Sequence, residues 1–533
     1  MGAARRWPEP SLARGPRRLV RAGWRFIVRA GRDAGGASTI LAMQRHSLIG
    51  RTLCLLTIAC ASAGAASPAR AADTAPTPCR LRGIEHQALC GSVQRPLDPA
   101  RPQAMQIAIH YAVLPALARN KQPDPVFFFA GGPGQSAIEI APAVSAMLSR
   151  FANRRDIVLI DQRGTGRSAP LLCDADDPAL PLAELFSLER QRERLAACLV
   201  KLKALPYGDL RFFTTTLAMQ DVDAVRAALG APRINAIGAS YGTRVALEYQ
   251  RLFPDRVRRT VIDGVAPPDM VLPAAFSTDN QAALDALFDA CTADAGCAAR
   301  EPRLRERWQA LLASLPRTVD LRHPLTHRGE RLTLTRDIVL GMVRGPLYIP
   351  ALSSALPAVI GEATQGRFDG LAALAQALGG RRGMRMAAGM HFSVVCAEDL
   401  PRIAQAVDRP GVDFGDSFLA LYREVCTEWP RGDVPAAFYT LAPAPAATLV
   451  LSGGIDPVTP PRHGERTTTA LGGKARHTVV PHAGHGVMAI GCMRDVLFRF
   501  VDAATDAQAL AVDASCVTGI PRPPMFALPG ATR

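Results

Sequence analysis

NAIGASYGTRVALEY, residues 235–249, sets a serine between two glycines, Gly238-x-Ser240-x-Gly242, with an apolar run before it and an amphipathic run after it. An apolar run that stops at glycine and restarts with helical spacing describes a strand turning sharply into a helix. Ser240 then stands on that turn, where the flanking glycines permit a tight, strained backbone. The pattern is short and arises by chance. Its meaning depends on whether the rest of the chain supplies partners for a serine nucleophile.

The surrounding text alternates strands with helices. PVFFFAGG (125–132) and DIVLIDQRG (156–164) are apolar strands stopped by glycines. TTLAMQDVDAVRAALG (215–230) has helical spacing and precedes the strand INAIG (234–238). SYGTRVALEYQRLFP (240–254) is a helix stopped at Pro254, and VRRTVIDGV (257–265) is another buried-type strand. This alternation predicts a mostly parallel sheet with helices on both faces. Residues 270–440 change to mostly helical phrases such as NQAALDALFDAC and RLRERWQALLASL, and the alternation resumes with ATLVLSGGIDPVTP (447–460) and ARHTVVPHAGHG (475–486). The expected organisation is a leader over 1–71, an α/β core in two parts (72–269 and 441–533), and a helical cap inserted at 270–440.

At 533 residues and 48% hydrophobic, the chain is long enough for a large core and a second lobe. The formal charge of +15 is unevenly placed: residues 1–71 hold twelve arginines against Glu9 and Asp33, and the remainder carries 50 basic and 45 acidic residues. Such an even mixture, with no basic patch interleaved with aromatics, argues against nucleic-acid binding. The N-terminal region reads as a targeting segment. Met43 begins a stretch with a basic start (Arg45, Arg51), an apolar run from Leu53 to about Ala66, and a small-residue site at Ala69-Arg70-Ala71. Cleavage is expected near Ala71, with Met43 as the start; the alternative is a longer twin-arginine or transit-type leader. Cys60 is read as part of a cleaved signal rather than a lipidation site. No stretch reaches the length of a membrane span. The expected location is therefore periplasmic or secreted.

Ten cysteines remain after such cleavage, an even number suited to disulfides in an exported chain. Connectivity is open on sequence grounds; the shortest loops close at least cost, which favours 79–90, 173–198, 291–297, 396–426 and 492–516. No Cys-x-x-Cys spacing occurs, and no metal or other cofactor is expected.

In a doubly wound sheet, functional groups collect at the carboxyl ends of strands. Ser240 follows INAIG, Asp456 follows TLVLSGG and His485 follows HTVVPHAG. A serine hydroxyl becomes a useful nucleophile when a histidine takes its proton and an acid fixes that histidine's tautomer, so all three are needed. The chain order Ser, Asp, His is that of α/β-hydrolases. Asp263, after RRTVI, is the competing acid. His482 shares a loop with His485, but no third metal ligand is placed beside them; Gly484 and Gly486 favour His485 as the base. AGGPGQSA (130–137) follows an earlier strand, and proline offers no N–H. The expected oxyanion donors are therefore the amides of Gly132 and Tyr241.

AGGPGQSA, LIDQRGTGRS, GASYGTRVALEY, LVLSGGIDPVTP and HAGHG together resemble the prolyl and tripeptidyl aminopeptidase group of α/β-hydrolases, over about residues 80–520. The resemblance implies an α/β-hydrolase fold with a helical cap, a triad of Ser240, Asp456 and His485, and oxyanion donors at Gly132 and Tyr241. It implies a serine exopeptidase acting on peptides with a free N-terminus. The group's usual histidine before the paired glycines is Ala130 here, a position that supports the loop. Asp161 and Arg163 are expected to pin their turn. SVVCAEDLP (393–401) resembles a cysteine-plus-acid motif of secreted members, and Glu398 or Asp399 is the expected partner of a substrate α-ammonium; a structural role beside a disulfide is the alternative. An esterase or lactonase with the same triad, or a non-catalytic scaffold, remains the competing function.

Overall fold

The structure is a computed structural model and describes residues 74–379 and 385–527. The expected leader, with Met43, Cys60 and the cleavage site near Ala71, lies outside the described residues.

Nine strands form one sheet. They are β1 (Thr74–Cys79), β2 (Ala88–Pro96), β3 (Gln106–Leu114), β4 (Val126–Phe129), β5 (Ile157–Ile160), β6 (Ile234–Ala239), β7 (Val257–Asp263), and then, after a long interruption, β10 (Thr448–Gly453) and β11 (Ala475–Val480). Their order is β1-β2-β3-β5-β4-β6-β7-β10-β11. The run from β5 through β4, β6, β7 and β10 to β11 is parallel throughout. β1, β2 and β3 add an antiparallel edge, and β3 joins β5 antiparallel. The sequence reading anticipated the parallel strands and overlooked this edge.

Central parallel strands are covered on both faces, which is why β4 (VFFF) and β5 (IVLI) are apolar without alternation and every residue in them is buried. One face packs Phe127, Val158, Ile234 and Ile262 against Met219, Val222 and Val245 of the helices Thr215–Ala228 and Tyr241–Leu252. The other packs Phe128, Leu159, Val261 and Leu451 against Val496, Leu497 and Phe500 of the helix Met493–Asp502. Register places the strand ends side by side: Ala239 of β6 opposite Asp263 of β7, and Gly453 of β10 opposite Val480 of β11. The loops that follow these ends carry Ser240, Asp456 and His485.

The interruption between β7 and β10 holds most of the remaining helices and one hairpin, β8 (Arg317–Arg322) with β9 (Gly329–Leu334). The hairpin went unforeseen in a segment read as helical, although Val319, Leu321, Leu332 and Leu334 alternate with exposed residues in the manner of a half-buried strand. Trp308, Leu312, Val339, Ile360 and Phe368 form a hydrophobic cluster separate from those of the sheet. Each such side chain, fully buried, stabilises by about 1.5–3 kcal/mol, so this lobe has its own source of stability. The helix Ala388–Glu398, in contrast, sends Met390, Val394 and Val395 into the sheet's own cluster.

Five disulfides join Cys79–Cys90, Cys173–Cys198, Cys291–Cys297, Cys396–Cys426 and Cys492–Cys516, the short-loop pairing throughout. Among the described residues, no helix is long and apolar enough to cross a membrane.

Candidate active site

Ser240 has φ 57° and ψ −125°, a conformation that costs a non-glycine residue about 1–3 kcal/mol and persists only where its surroundings enforce it. Here they do. Its amide donates to the Asp263 carbonyl (2.8 Å), and its carbonyl accepts from the amide (2.9 Å) and the hydroxyl (2.6 Å) of Thr243. The glycines of the pattern are demanded by close approach. A Cβ on Gly238 would stand 2.1 Å from the Gly242 carbonyl oxygen, and one on Gly242 would stand 2.1 Å from that of Phe129. The turn is folded back on itself and pressed against β4.

His485 reaches the same corner from the loop after β11. Its Nδ1 lies 2.8 Å from Asp456 Oδ2. Asp456 is itself saturated: Oδ1 accepts the amides of Val458 (2.9 Å) and Thr459 (3.0 Å), and Oδ2 accepts the Thr459 hydroxyl (2.8 Å). Burial opposes the Asp456 charge, yet His485 and these donors hold the carboxyl below the usual carboxylate range. Burial likewise opposes a charged His485, but the adjacent Asp456 outweighs it and raises the imidazole above its ordinary value of 6.5. With Nδ1–H pointed at Asp456, Nε2 is left as the proton acceptor. Gly264, next in chain after the residue that holds the Ser240 amide, clears space for the ring; a Cβ there would stand 3.1 Å from His485 Cε1. Ser240 and His485 share no hydrogen bond in this structure, a common condition before substrate is bound.

Asp263, the competing acid, is 1% exposed and otherwise engaged. Its Oδ2 accepts the amides of Val487 (2.7 Å) and Met488 (2.9 Å), fixing the loop just past His485, and burial pushes its carboxyl up to about 6. His482 is exposed. Among the described residues, no group of three or more His, Cys, Asp or Glu side chains is arranged to hold a metal ion.

The loop after β4 lies over Ser240: a Cβ on Gly131 would stand 3.1 Å from Ser240 Cβ. The Gly131 amide is committed to Gln135 Oε1 (3.2 Å). Neither the Gly132 nor the Tyr241 amide makes a hydrogen bond among the described residues, so both remain free to donate. The insertion holds this loop from above. The Ala387 amide donates to the Gly134 carbonyl (2.9 Å), and Gln135 bridges to Met386. His391 bonds the Tyr422 hydroxyl through Nε2 (2.7 Å) and lies against the Pro133 backbone; burial pushes it down to about 4 and keeps it neutral. Ala130 is buried among Phe128 and Ile237.

A strained serine between a strand and a helix, a histidine on a buried carboxylate and two free amides are the parts of a covalent acyl-transfer site. The α/beta hydrolase fold family matches residues 124–354, and the TAP-like protein family matches residues 412–516. The serine protease Hip1 of Mycobacterium tuberculosis is 27% identical over 454 residues, which span 76% of this chain and 85% of that protein. The tripeptidyl aminopeptidase of Streptomyces lividans is 34% identical over 192 residues, 34% of this chain and 35% of that protein. A solved proline iminopeptidase of Mycobacterium smegmatis is 16% identical, with a TM-score of 0.33, over 79% of this chain and 100% of that one. The chain has the α/β-hydrolase fold, and its matched families and relatives make it similar to the prolyl and tripeptidyl aminopeptidase group. It is a serine hydrolase, and the relatives named above are peptidases.

One expectation carried over from this hydrolase group does not fit the geometry. Glu398 and Asp399 are each 1% exposed and face no open pocket. Both serve Arg244, which is 0% exposed and donates to Asp399 (3.0 and 3.1 Å) and to Glu398 (3.4 Å). Glu398 also accepts from the amide (2.7 Å) and hydroxyl (3.0 Å) of Thr215, and that hydroxyl lies 2.6 Å from the Tyr241 hydroxyl. Asp399 Oδ1 accepts the Leu272 amide (3.1 Å). The two acids fasten the insertion to the helix that starts at the candidate nucleophile, and neither is available to an incoming ammonium group.

Sequence reasoning missed Thr459, which bonds both Asp456 and His485, and Tyr348, whose ring meets His485 edge-on at 5.4 Å. Thr459 lies three positions past Asp456 in an Asp-Pro turn, so a side-chain partner was readable there; Tyr348 arrives from the insertion and left no local signal. The turn residues are placed as expected: Asp161 accepts from Ser136 and the Ile138 and Arg167 amides, while Arg163 is spent on Asp221 and backbone carbonyls.

Proposed function

We propose that this hydrolase is an exported aminopeptidase that releases N-terminal residues or tripeptides from peptides through an acyl-enzyme on Ser240. His485 Nε2 takes the hydroxyl proton as Ser240 Oγ attacks the scissile carbonyl. The Gly132 and Tyr241 amides stabilise the oxyanion; each such donor contributes roughly 2.7–4 kcal/mol in comparable sites. His485 then gives its proton to the departing amine, and water repeats the sequence on the ester. Asp456 holds the ring in the required tautomer throughout.

The observation that carries this reading is the Asp456–His485 bond of 2.8 Å, made in the corner where Ser240 is held in a strained conformation. The 27–34% identical peptidase relatives support peptides as the substrate class. In this reading, residues 270–440 are the cap between the two parts of the core, 72–269 and 441–533, and restrict access to chain ends rather than folded proteins. Five disulfides favour an oxidising compartment, in agreement with a cleaved signal segment and a periplasmic or secreted protein.

The test pairs a fluorophosphonate probe with a substrate panel. Wild type should be labelled, and Ser240→Ala should lose both labelling and turnover. Aminoacyl- and tripeptidyl-anilides with free amines should be cleaved faster than N-acylated peptides and short-chain nitrophenyl esters. The reverse ranking would make the protein an esterase, and an unlabelled wild type would make it a scaffold.

A further inference from the structure

Arg344 is the one half-buried guanidinium beside the site for which the fold supplies no carboxylate among the described residues. Other buried arginines are paired: Arg155 with Asp124, Arg163 with Asp221, Arg244 with Asp399. Arg344 instead sits between two rings, its guanidinium carbon 4.3 Å from the centre of Phe418 and 5.3 Å from that of Phe276. Aromatic faces hold a guanidinium by its flat sides and leave the N–H groups in its plane unspent.

Its position is set by two neighbours. Tyr348 follows one turn later, at the end of the helix Arg336–Leu347; its ring meets His485 edge-on, and its carbonyl accepts the His485 amide (3.1 Å). The His391–Tyr422 pair is also within reach of the Arg344 charge, with the Tyr422 ring against Phe276 (6.4 Å) and His391 against Pro133. Arg344 is therefore one helical turn before the tyrosine that flanks the general base, and its charge acts on the His391–Tyr422 pair beside Pro133, the residue after Gly132. A leaving amine must collect its proton from His485, so the departing half of the substrate passes on the side of Tyr348 and of Arg344.

We infer that Arg344 is a specificity residue that binds a carboxylate carried on the leaving side of the scissile bond. The ligand chemistry is that of a short peptide's C-terminal carboxylate or of an acidic leaving residue. The inference uses the peptidase reading for its substrates, but the electrostatic argument holds for any acyl substrate with an anionic leaving group.

The experiment compares wild type, Arg344→Met and Arg344→Lys on three peptides of otherwise equal sequence: one with a free C-terminal carboxylate, its C-terminal amide, and an amide with Asp as the leaving residue. Wild type should favour at least one carboxylate-bearing peptide over the plain amide by about tenfold in kcat/KM, the scale of one charge-assisted hydrogen bond, mainly through KM. Whichever carboxylate gains identifies the source. Arg344→Met should bring the ratio to about one, and Arg344→Lys should retain part of it. Absence of any preference in wild type, its survival in Arg344→Met, or an equal loss on all three peptides would each overturn the assignment. If no peptide is turned over, the aminopeptidase reading fails by itself; the ratio is then measured on esters with and without a carboxylate in the leaving alcohol, and it decides Arg344 separately.

Discussion

Tyr348 touches His485 twice: its carbonyl accepts the histidine's amide N–H at 3.1 Å, and its ring meets the imidazole edge-on at 5.4 Å. The imidazole is thus steadied from the insertion as well as from Asp456. Tyr348→Leu keeps the backbone bond and removes the ring. It should lower kcat by about tenfold to a hundredfold with little change in KM, the scale on which a misplaced catalytic group costs rate. Tyr348→Phe, which keeps the ring, should retain most activity. A KM effect in Tyr348→Leu with kcat intact would make the ring a substrate contact instead.

The pH profile follows from the charge on His485. Only the neutral ring accepts the Ser240 proton. Burial favours that form, but Asp456 outweighs burial and raises the pKa above 6.5. Activity should therefore fall as pH drops, with the acid limb of kcat/KM centred above 6.5. Asp456→Asn removes the stabilising charge, so the limb of its residual activity should move to lower pH. A wild-type midpoint below 6.5 would contradict the assigned environment.

Asp456 and Asp263 should separate by the property they affect. Asp456→Asn favours the wrong tautomer and should cost about 10⁴-fold in kcat, with the thermal midpoint nearly kept. Asp263→Ala orphans the Val487 and Met488 amides, each worth about 1–3 kcal/mol when buried and unpaired, so unfolding should occur at lower temperature. Rate and thermal-shift measurements on both variants check this, and exchanged phenotypes would move the acid to β7.

Arg244→Met leaves Asp399 as a buried carboxylate without its cation and removes the guanidinium from Glu398, whose carboxyl is pushed up to about 7 by burial. Breaking such a pair costs about 3–5 kcal/mol, read as a large loss in denaturant midpoint. Glu398→Gln should destabilise less, and neither it nor Asp399→Asn should raise KM selectively for free-amine peptides. A selective rise would restore these acids to amine recognition.

The contrast between these residues explains what could be read in advance. Ser240, Asp456 and His485 each follow an apolar run ended by small residues, and strand ends in a parallel sheet converge whatever lies between them, so their proximity was legible. Gly238 and Gly242 were legible as permissive residues, but their contacts with each other and with Phe129 required the fold. Glu398 and Asp399 appeared as charges without partners because their partner, Arg244, lies over 150 positions away on the helix after the nucleophile. The β8–β9 hairpin was missed for another reason. Its alternation spans only six residues per strand, too short to outweigh helical phrases on either side.

The bond from the Ala387 amide to the Gly134 carbonyl, with Met386 bridged to Gln135, makes the insertion part of the reaction centre's scaffolding. A Cβ on Gly134 would stand 2.6 Å from the Ala387 carbonyl oxygen, so the two segments are fitted face to face. The insertion is consequently no interchangeable module. A chimera that replaces the stretch between β7 and β10 should stay active only if it also brings a matching segment at 386–391, and deleting that stretch should abolish activity rather than broaden it.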